Sequence, residues 1–307
     1  MPLALLKEMY VDAVEKYYAI GQFNVNNLEF VQSALEAAEE MKSPVILAAS
    51  TSAIKYAGLD YLVNIVRTGA EAVSVPVALH LDHGATFEDA KRCVDAGFTS
   101  VMIDGSHHPF EENIRVTKEV VDYAAPKGIC VEAELGRLGG IEDDVNVDER
   151  EARMTDPDEA VEFVEKTRCN ALAIAIGTSH GAYKFKGANV LAFDRIEAIK
   201  KRLPMALVMH GSSGVDQDMV EKCNKFGGEI AGAKGVDDES VRKAVGLGMN
   251  KVNIDTDLRI AWTATVREKI AEAPSNIDPR KVLGPARDVV KEVIKQKMEL
   301  LGSAGKA

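Results

Sequence analysis

Three of the six histidines, His83, His180 and His210, each precede a glycine (Gly84, Gly181, Gly211), and each follows a short apolar run. Imidazoles converging from separate segments suit zinc, and three protein ligands leave a coordination position for a substrate. Asp82 stands directly before His83. Placed near a metal and its substrate, that carboxylate could shuttle a proton; the alternative is an aspartate that orients a histidine. Asp104 and Glu134 end two further apolar runs. They read either as a second divalent-metal position or as partners that orient the histidines. Gly181, Gly211, Ser213, Asp255 and Thr256 suit a phosphate cradle, because glycine lets the backbone approach and N–H groups at a helix start attract anions. Lys184 adds positive charge nearby, or else belongs with Lys186 to an exposed loop.

For these residues to meet, something must bring distant segments to one place. Eight short apolar, often β-branched runs read as strands: 19–23, 45–50, 77–81, 100–104, 129–133, 171–176, 205–209 and 251–254. Segments of helical spacing lie between them, such as Leu28, Val31, Leu35 and Ala38, or the helix started by Thr155-Asp156-Pro157. Strands too apolar for one wet face are parallel and covered by helices. The simplest closure is a (β/α)8 TIM barrel, with an open doubly wound sheet as the rival; no GxGxxG follows the first strand. In a barrel the chemistry collects at the C-terminal strand ends, where the residues above stand. Three histidines at equivalent exits favour a metal site. His80 falls inside a strand, and His107 and His108 read as the start of a helix before Pro109.

Two segments depart from the pattern. Residues 136–153 carry Gly139-Gly140 and then six acidic residues, an extended acidic loop too long and charged for an ordinary connection after strand five. The tail from Asp278 repeats Val290, Ile294, Met298 and Leu301 at helical spacing and reads as a C-terminal helix packed on the barrel or on a neighbouring subunit. Without repeats or Pro-rich linkers, residues 1–307 are expected to form a single domain.

The chain has 307 residues, 46% of them hydrophobic, enough for one full α/β core. The formal charge of −11 disfavours nucleic acid as a partner. No stretch approaches the ~20 apolar residues that span a bilayer, and the N-terminus lacks a signal-peptide pattern. Four widely spaced cysteines without a CxxC pair fit a reducing, cytoplasmic setting. On the residues alone, the chemistry is metal-assisted carbonyl chemistry on a sugar phosphate, the sugar left open. Three rivals are a lysine Schiff-base aldolase using Lys251, a zinc hydrolase (which lacks its usual His-x-His on strand one), and a degenerate barrel that only binds sugar phosphate or acts as an adhesin.

The motifs HLDHG (80–84), GFTSVMIDGSHHPFEEN (97–113), VEAELGRLGGIEDD (131–144), GTSHGAYK (177–184), HGSSG (210–214) and NIDTD (253–257) together resemble the class II, metal-dependent fructose-bisphosphate aldolases, in the shorter form called class IIB. The resemblance covers essentially the whole chain. It implies reversible cleavage of fructose 1,6-bisphosphate to dihydroxyacetone phosphate and glyceraldehyde 3-phosphate, as in glycolysis, by a homodimer or homotetramer. It assigns His83, His180 and His210 to catalytic Zn2+, Asp82 to proton transfer and Asp104 and Glu134 to a second metal position. Gly181, Gly211, Ser212, Ser213, Asn253, Ile254, Asp255 and Thr256 contact the triose-phosphate half, with Ser50 a further substrate contact. Glu142, on the acidic loop, exchanges the proton at the enediolate carbon, which gives that loop the role of a lid. Arg259 and Arg280 match residues at the far phosphate, the latter reaching in from a neighbour. Asp255-Thr256-Asp257 is closer to the fructose than to the tagatose-bisphosphate type. A monovalent cation is also known in the family, with carbonyls of residues 231–235 as candidate ligands.

Overall fold

In the computed structural model, residues 3–142, 145–147, 152–181 and 191–307 are described, with the backbone only for 141, 142, 145–147 and 180. Eight parallel strands close a barrel in sequence order: Ile20–Asn24, Val45–Ser50, Val77–Gly84, Ser100–Ile103, Cys130–Leu135, Ala171–Ile174, Ala206–Met209 and Met249–Ile254. Closure is made by the first strand pairing with the eighth, Ile20 opposite Lys251 through Phe23 opposite Ile254. This excludes the open doubly wound sheet.

The alternation of side chains along each strand divides the residues between two layers. Phe23, Leu47, Leu79, Val101, Val131, Leu172, Leu207 and Val252 join the outer core between barrel and helices. Their neighbours face inward, and these change character from bottom to top. At the bottom, Ile20, Ile46, Ala78, Cys130, Ala171 and Ala206 pack with Leu6, Met9, Tyr10 and Ala13 of the first helix, Leu6–Lys16, which plugs the barrel. One pleat higher stand Gln22, His80, Glu132 and Asn253; above them come Asn24, Ser50, Asp82, Glu134 and His210. Small residues below make room for the plug, and the long polar ones above have nowhere to go but the mouth.

The helix that follows strand five and the 136–153 segment, Pro157–Thr167, starts as the sequence suggests, with Asp156 accepting from the N–H groups of Asp158 and Glu159. The acidic segment is not a plain loop. Gly139–Glu142 and Val145–Val147 form an antiparallel pair, and Ser179–His180 adds to it in parallel, Gly140 opposite His180. His107 and His108 lie in the turn before the helix Phe110–Ala124, not within it. The C-terminal helix, Arg280–Leu300, buries Val290, Ile294 and Met298 on the chain's own helices Leu28–Met41 and Thr256–Glu272.

Candidate active site

Strict alternation would turn His83 outward with Leu79 and Leu81. Instead strand three continues to Gly84, beyond the Leu81 end expected from sequence, and its register with strand four shifts between Leu81 and Gly84. His83 sits there in the left-handed region, φ 48°. A bulge of this kind re-aims a side chain, so Asp82 and His83 both reach the pocket. Gly84 is required beneath them, since a Cβ would lie 2.5 Å from the Met102 carbonyl oxygen.

The imidazoles of His83 and His210 meet edge to face, with ring centroids 4.6 Å apart. Ligand atoms of Asp82, His83 and His210 lie within 4.8 Å of one another, and so do those of His83, Asp104 and Glu134. Asp104 Oδ2 is 2.9 Å from His83 Nδ1, and the Glu134 carboxylate is 3.9 Å from the same nitrogen. Burial would depress the His83 imidazole, but Asp82, Asp104 and Glu134 outweigh it and push it up to about 10. His210 shows the opposite balance: burial, with His83 and Lys251 close by, brings it down to about 4.

Glu132 was legible as an acidic residue on strand five, yet sequence reasoning assigned it no role. Its Oε1 lies 3.0 Å from His210 Nε2, and Lys251 Nζ lies 2.9 and 2.7 Å from its two oxygens, with all three side chains buried. The signal that could have found it is the spacing of Glu132 and Glu134, two apart and therefore on one face. Because Nε2–H of His210 donates to Glu132, Nδ1 is the acceptor nitrogen, and Asn253 Nδ2 donates to it at 3.0 Å. Asn253 also donates to Asp82 Oδ1 at 3.0 Å, and Asn24, a second residue sequence reasoning missed, donates to Asp82 Oδ2 at 2.9 Å. Asp82 is thus held by an amide on each oxygen. Burial alone would raise its carboxyl, but His83, His210 and Lys251 hold it well below the usual range. The ammonium of Lys251, the Schiff-base candidate, is committed to Glu132.

Four buried or nearly buried carboxylates, Asp82, Asp104, Glu132 and Glu134, therefore crowd three imidazoles, His80, His83 and His210, and one ammonium. Glu134 Oε2 has no hydrogen-bond partner among the described residues. Burial and the neighbouring Asp104 push the Glu134 carboxyl well above its ordinary value. An orphaned buried oxygen among like charges is what a bound divalent cation would resolve, and the His/Asp/Glu donor set suits one.

His180 is placed by its backbone alone; its side chain lies outside the described residues, as does that of Glu142 and the whole of Lys184. Its neighbour packs on the loop after His210: a Cβ on Gly211 would come 2.5 Å from the Ser179 carbonyl oxygen, and Gly211 has φ +63°. Gly211→Ala is therefore expected to cost about 2 kcal/mol of stability, combining backbone strain with displacement of the Ser179–His180 strand. Thermal unfolding measures this, and a wild-type melting temperature with wild-type turnover would contradict the packing.

Of the other sequence-assigned residues, Ser50 accepts from Ala53 N–H as the N-cap of Thr51–Ala57 and lies 3.0 Å from Ser52 Oγ. Gly181 follows His180 with φ +84°. Ser212, Ser213, Asp255 and Thr256 are buried at the exits of strands seven and eight, where Asp255 N–H donates to Ser213 Oγ at 3.4 Å. Ile254 belongs to the outer core, so only its backbone faces the mouth. Arg259 is half-exposed and forms a two-point pair with Asp255, at 2.8 and 2.7 Å. Arg280 is not brought to this cluster; it is 89% exposed and paired with Asp278.

The fold and the site define a barrel enzyme whose mouth gathers a His/Asp/Glu cluster that could hold a metal ion, an ionised carboxylate and a glycine- and serine-rich loop. The chain belongs to the class-II fructose-bisphosphate aldolase family, which it matches over residues 4–229 and 230–306; the family's members are aldehyde-lyases. It is 54% identical to the fructose-bisphosphate aldolase of Thermus caldophilus over 94% of this chain and 95% of that one. It is 48% identical to the fructose-bisphosphate aldolase of Giardia intestinalis, covering 100% and 95% of the two chains. Among solved structures, the YdjI aldolase from Escherichia coli K12 superposes with a TM-score of 0.80 at 34% identity over 100% of both chains.

Proposed function

We propose that this chain cleaves fructose 1,6-bisphosphate reversibly into dihydroxyacetone phosphate and glyceraldehyde 3-phosphate, using a zinc ion held by His83, His180 and His210. The observation that carries the reading is the edge-to-face pair of His83 and His210 beside Asp82, within a set of buried carboxylates at the barrel mouth. When bound, the metal supplies charge stabilisation for the oxygens of the cleaved ketone. Asp82, ionised and fixed by Asn24 and Asn253, accepts the proton of the C4 hydroxyl as the C3–C4 bond breaks. The electron pair of that bond moves onto C3 and is shared with the C2 oxygen as an enediolate. Glu142 delivers a proton to C3, which completes dihydroxyacetone phosphate; the acidic hairpin that carries it serves as the lid. Gly181, Gly211, Ser212, Ser213, Asp255 and Thr256 hold the phosphate of this half, with Ser50 and Lys184 as further contacts. Asp104 and Glu134 serve the second metal position, and Arg259 the far phosphate, with Arg280 supplied from a neighbouring subunit of a homodimer or homotetramer. A monovalent cation near residues 231–235 and a cytoplasmic setting complete the reading; no helix among the described residues is long and apolar enough to cross a membrane.

Relatives at 54% and 48% identity carry the fructose name, which favours that sugar over its tagatose epimer. Exhaustive chelation is expected to abolish cleavage in an assay coupled to glyceraldehyde 3-phosphate, and added zinc to restore it. Full activity after chelation removes the metal from the mechanism, and faster turnover of tagatose bisphosphate reassigns the substrate.

A further inference from the structure

The loop that leaves strand seven is held from behind by a residue far away in sequence. Asp257, in the first turn of Thr256–Glu272, accepts the Gly214 N–H at Oδ2, 2.9 Å, and the Val215 N–H at Oδ1, 2.6 Å. Val215 needs such restraint. It has φ +56°, a left-handed conformation that β-branched side chains avoid. Its carbonyl accepts from Gln217 Nε2 at 2.7 Å, and its side chain is buried with Val220, Ala233 and Ile260. On the other side Val236 N–H donates to the Ser213 carbonyl at 3.1 Å, and Gly235 leaves no space for a Cβ. The segment Gly211–Ser213 is thereby set against the exit of strand eight.

This arrangement carries a cost. The Asp257 side chain is 4% exposed, and a buried carboxylate close behind an anion-binding loop repels the anion. Lys297, in the last turn of the C-terminal helix and 15% exposed, places its ammonium 3.2 Å from Asp257 Oδ2. It also lies 3.6 Å from the exposed Asp238. Burial would strip the Lys297 proton more easily, but Asp257 and Asp238 outweigh it, so the ammonium stays charged.

We propose that Lys297 is a positioning residue for phosphate binding: through Asp257 it fixes the Gly211–Ser213 loop and cancels the carboxylate charge that would otherwise oppose a bound phosphate. The proposal rests on reading that loop as the phosphate site. It gives the C-terminal helix a part in substrate affinity, although Lys297 does not touch the substrate.

In the full-length, zinc-loaded protein, Lys297→Met is expected to raise KM for fructose 1,6-bisphosphate roughly tenfold. The inhibition constant of inorganic phosphate is expected to rise by a similar factor, while kcat changes little. Lys297→Arg, which keeps the charge, is expected to stay near wild type; if the methionine variant does not fold, Lys297→Gln is measured in the same way. Unchanged KM and phosphate inhibition would overturn the proposal. A lower kcat and melting temperature with KM unmoved would do the same, leaving Lys297 a brace for the barrel only. Ser213→Ala separates the two readings. If it weakens phosphate inhibition and Lys297→Met does not, the tether is wrong and the phosphate loop stands. If neither variant weakens it, the phosphate assignment falls and this inference falls with it.

Discussion

Replacing Asp82 with alanine is expected to lower cleavage by about 10²–10⁴-fold, the usual worth of a positioned proton carrier, while the protein keeps its metal. The size follows from the surroundings of the carboxylate. Asn24 and Asn253 each donate to one oxygen, at 2.9 and 3.0 Å, so its direction is set before substrate arrives. Asparagine at 82 is expected to lose nearly as much, since it keeps the shape but cannot accept a proton, and its amide would face a second amide donor. Metal content decides between two roles. Asp82 belongs to the same cluster of ligand atoms as His83 and His210, so a variant that loses turnover and zinc together would make Asp82 a ligand. Turnover lost at full zinc occupancy makes it the proton carrier.

Much of this site was legible because strand periodicity and polarity agree. Apolar outward residues and a polar inward file recur on strands one, three, five and eight, and a parallel barrel is the closure that covers such strands on both faces. The histidines could be placed at strand exits for the same reason. Where reading failed, the cause was local or long-range. The bulge at Asp82-His83 depends on the left-handed backbone of His83, and nothing in HLDHG distinguishes it from a strand that simply stops at Leu81. Glu132 and Lys251 lie on strands five and eight, and their pairing across the interior appears only once closure brings those walls face to face. Lys251 alone reads as a reactive lysine; beside Glu132 it is a counter-ion. Asn24 ends a strand with no titratable neighbour in sequence, so its bond to Asp82, 58 positions on, had no local signal. Arg259 and Arg280 look alike as surface arginines, and only the fold pairs the first with Asp255 at the mouth and the second with Asp278 outside it.

The Glu132–Lys251 pair carries the second large expectation. Lys251→Met should destabilise the chain by about 3–5 kcal/mol, the cost of leaving one partner of a buried pair uncompensated. It should also loosen His210, whose Nε2–H donates to Glu132, and so weaken metal binding by about 10–100-fold, as other losses behind a ligand do. The pH dependence tests the cause. Burial pushes the Glu132 carboxyl up, but Lys251, His210 and His80 together hold it at about 2. A carboxyl depressed in this way stabilises the fold above its unfolded value of about 4.3 and loses that contribution as pH falls towards the folded value. Without Lys251, burial is left as the dominant influence and the folded value rises above the unfolded one. The sign then reverses, and stability declines as pH rises through the raised value. The deficit of Lys251→Met relative to wild type should accordingly be greatest at neutral pH and shrink towards about pH 5, where Glu132 can be buried neutral. Melting temperatures of the two proteins across that interval measure it. A deficit that does not change with pH would mean that Lys251 contributes through packing and not through its charge. Pairing the lysine change with Glu132→Gln should recover part of the stability, because no buried charge is then left alone, yet not the metal affinity, because His210 would have lost the anionic acceptor that fixes its tautomer.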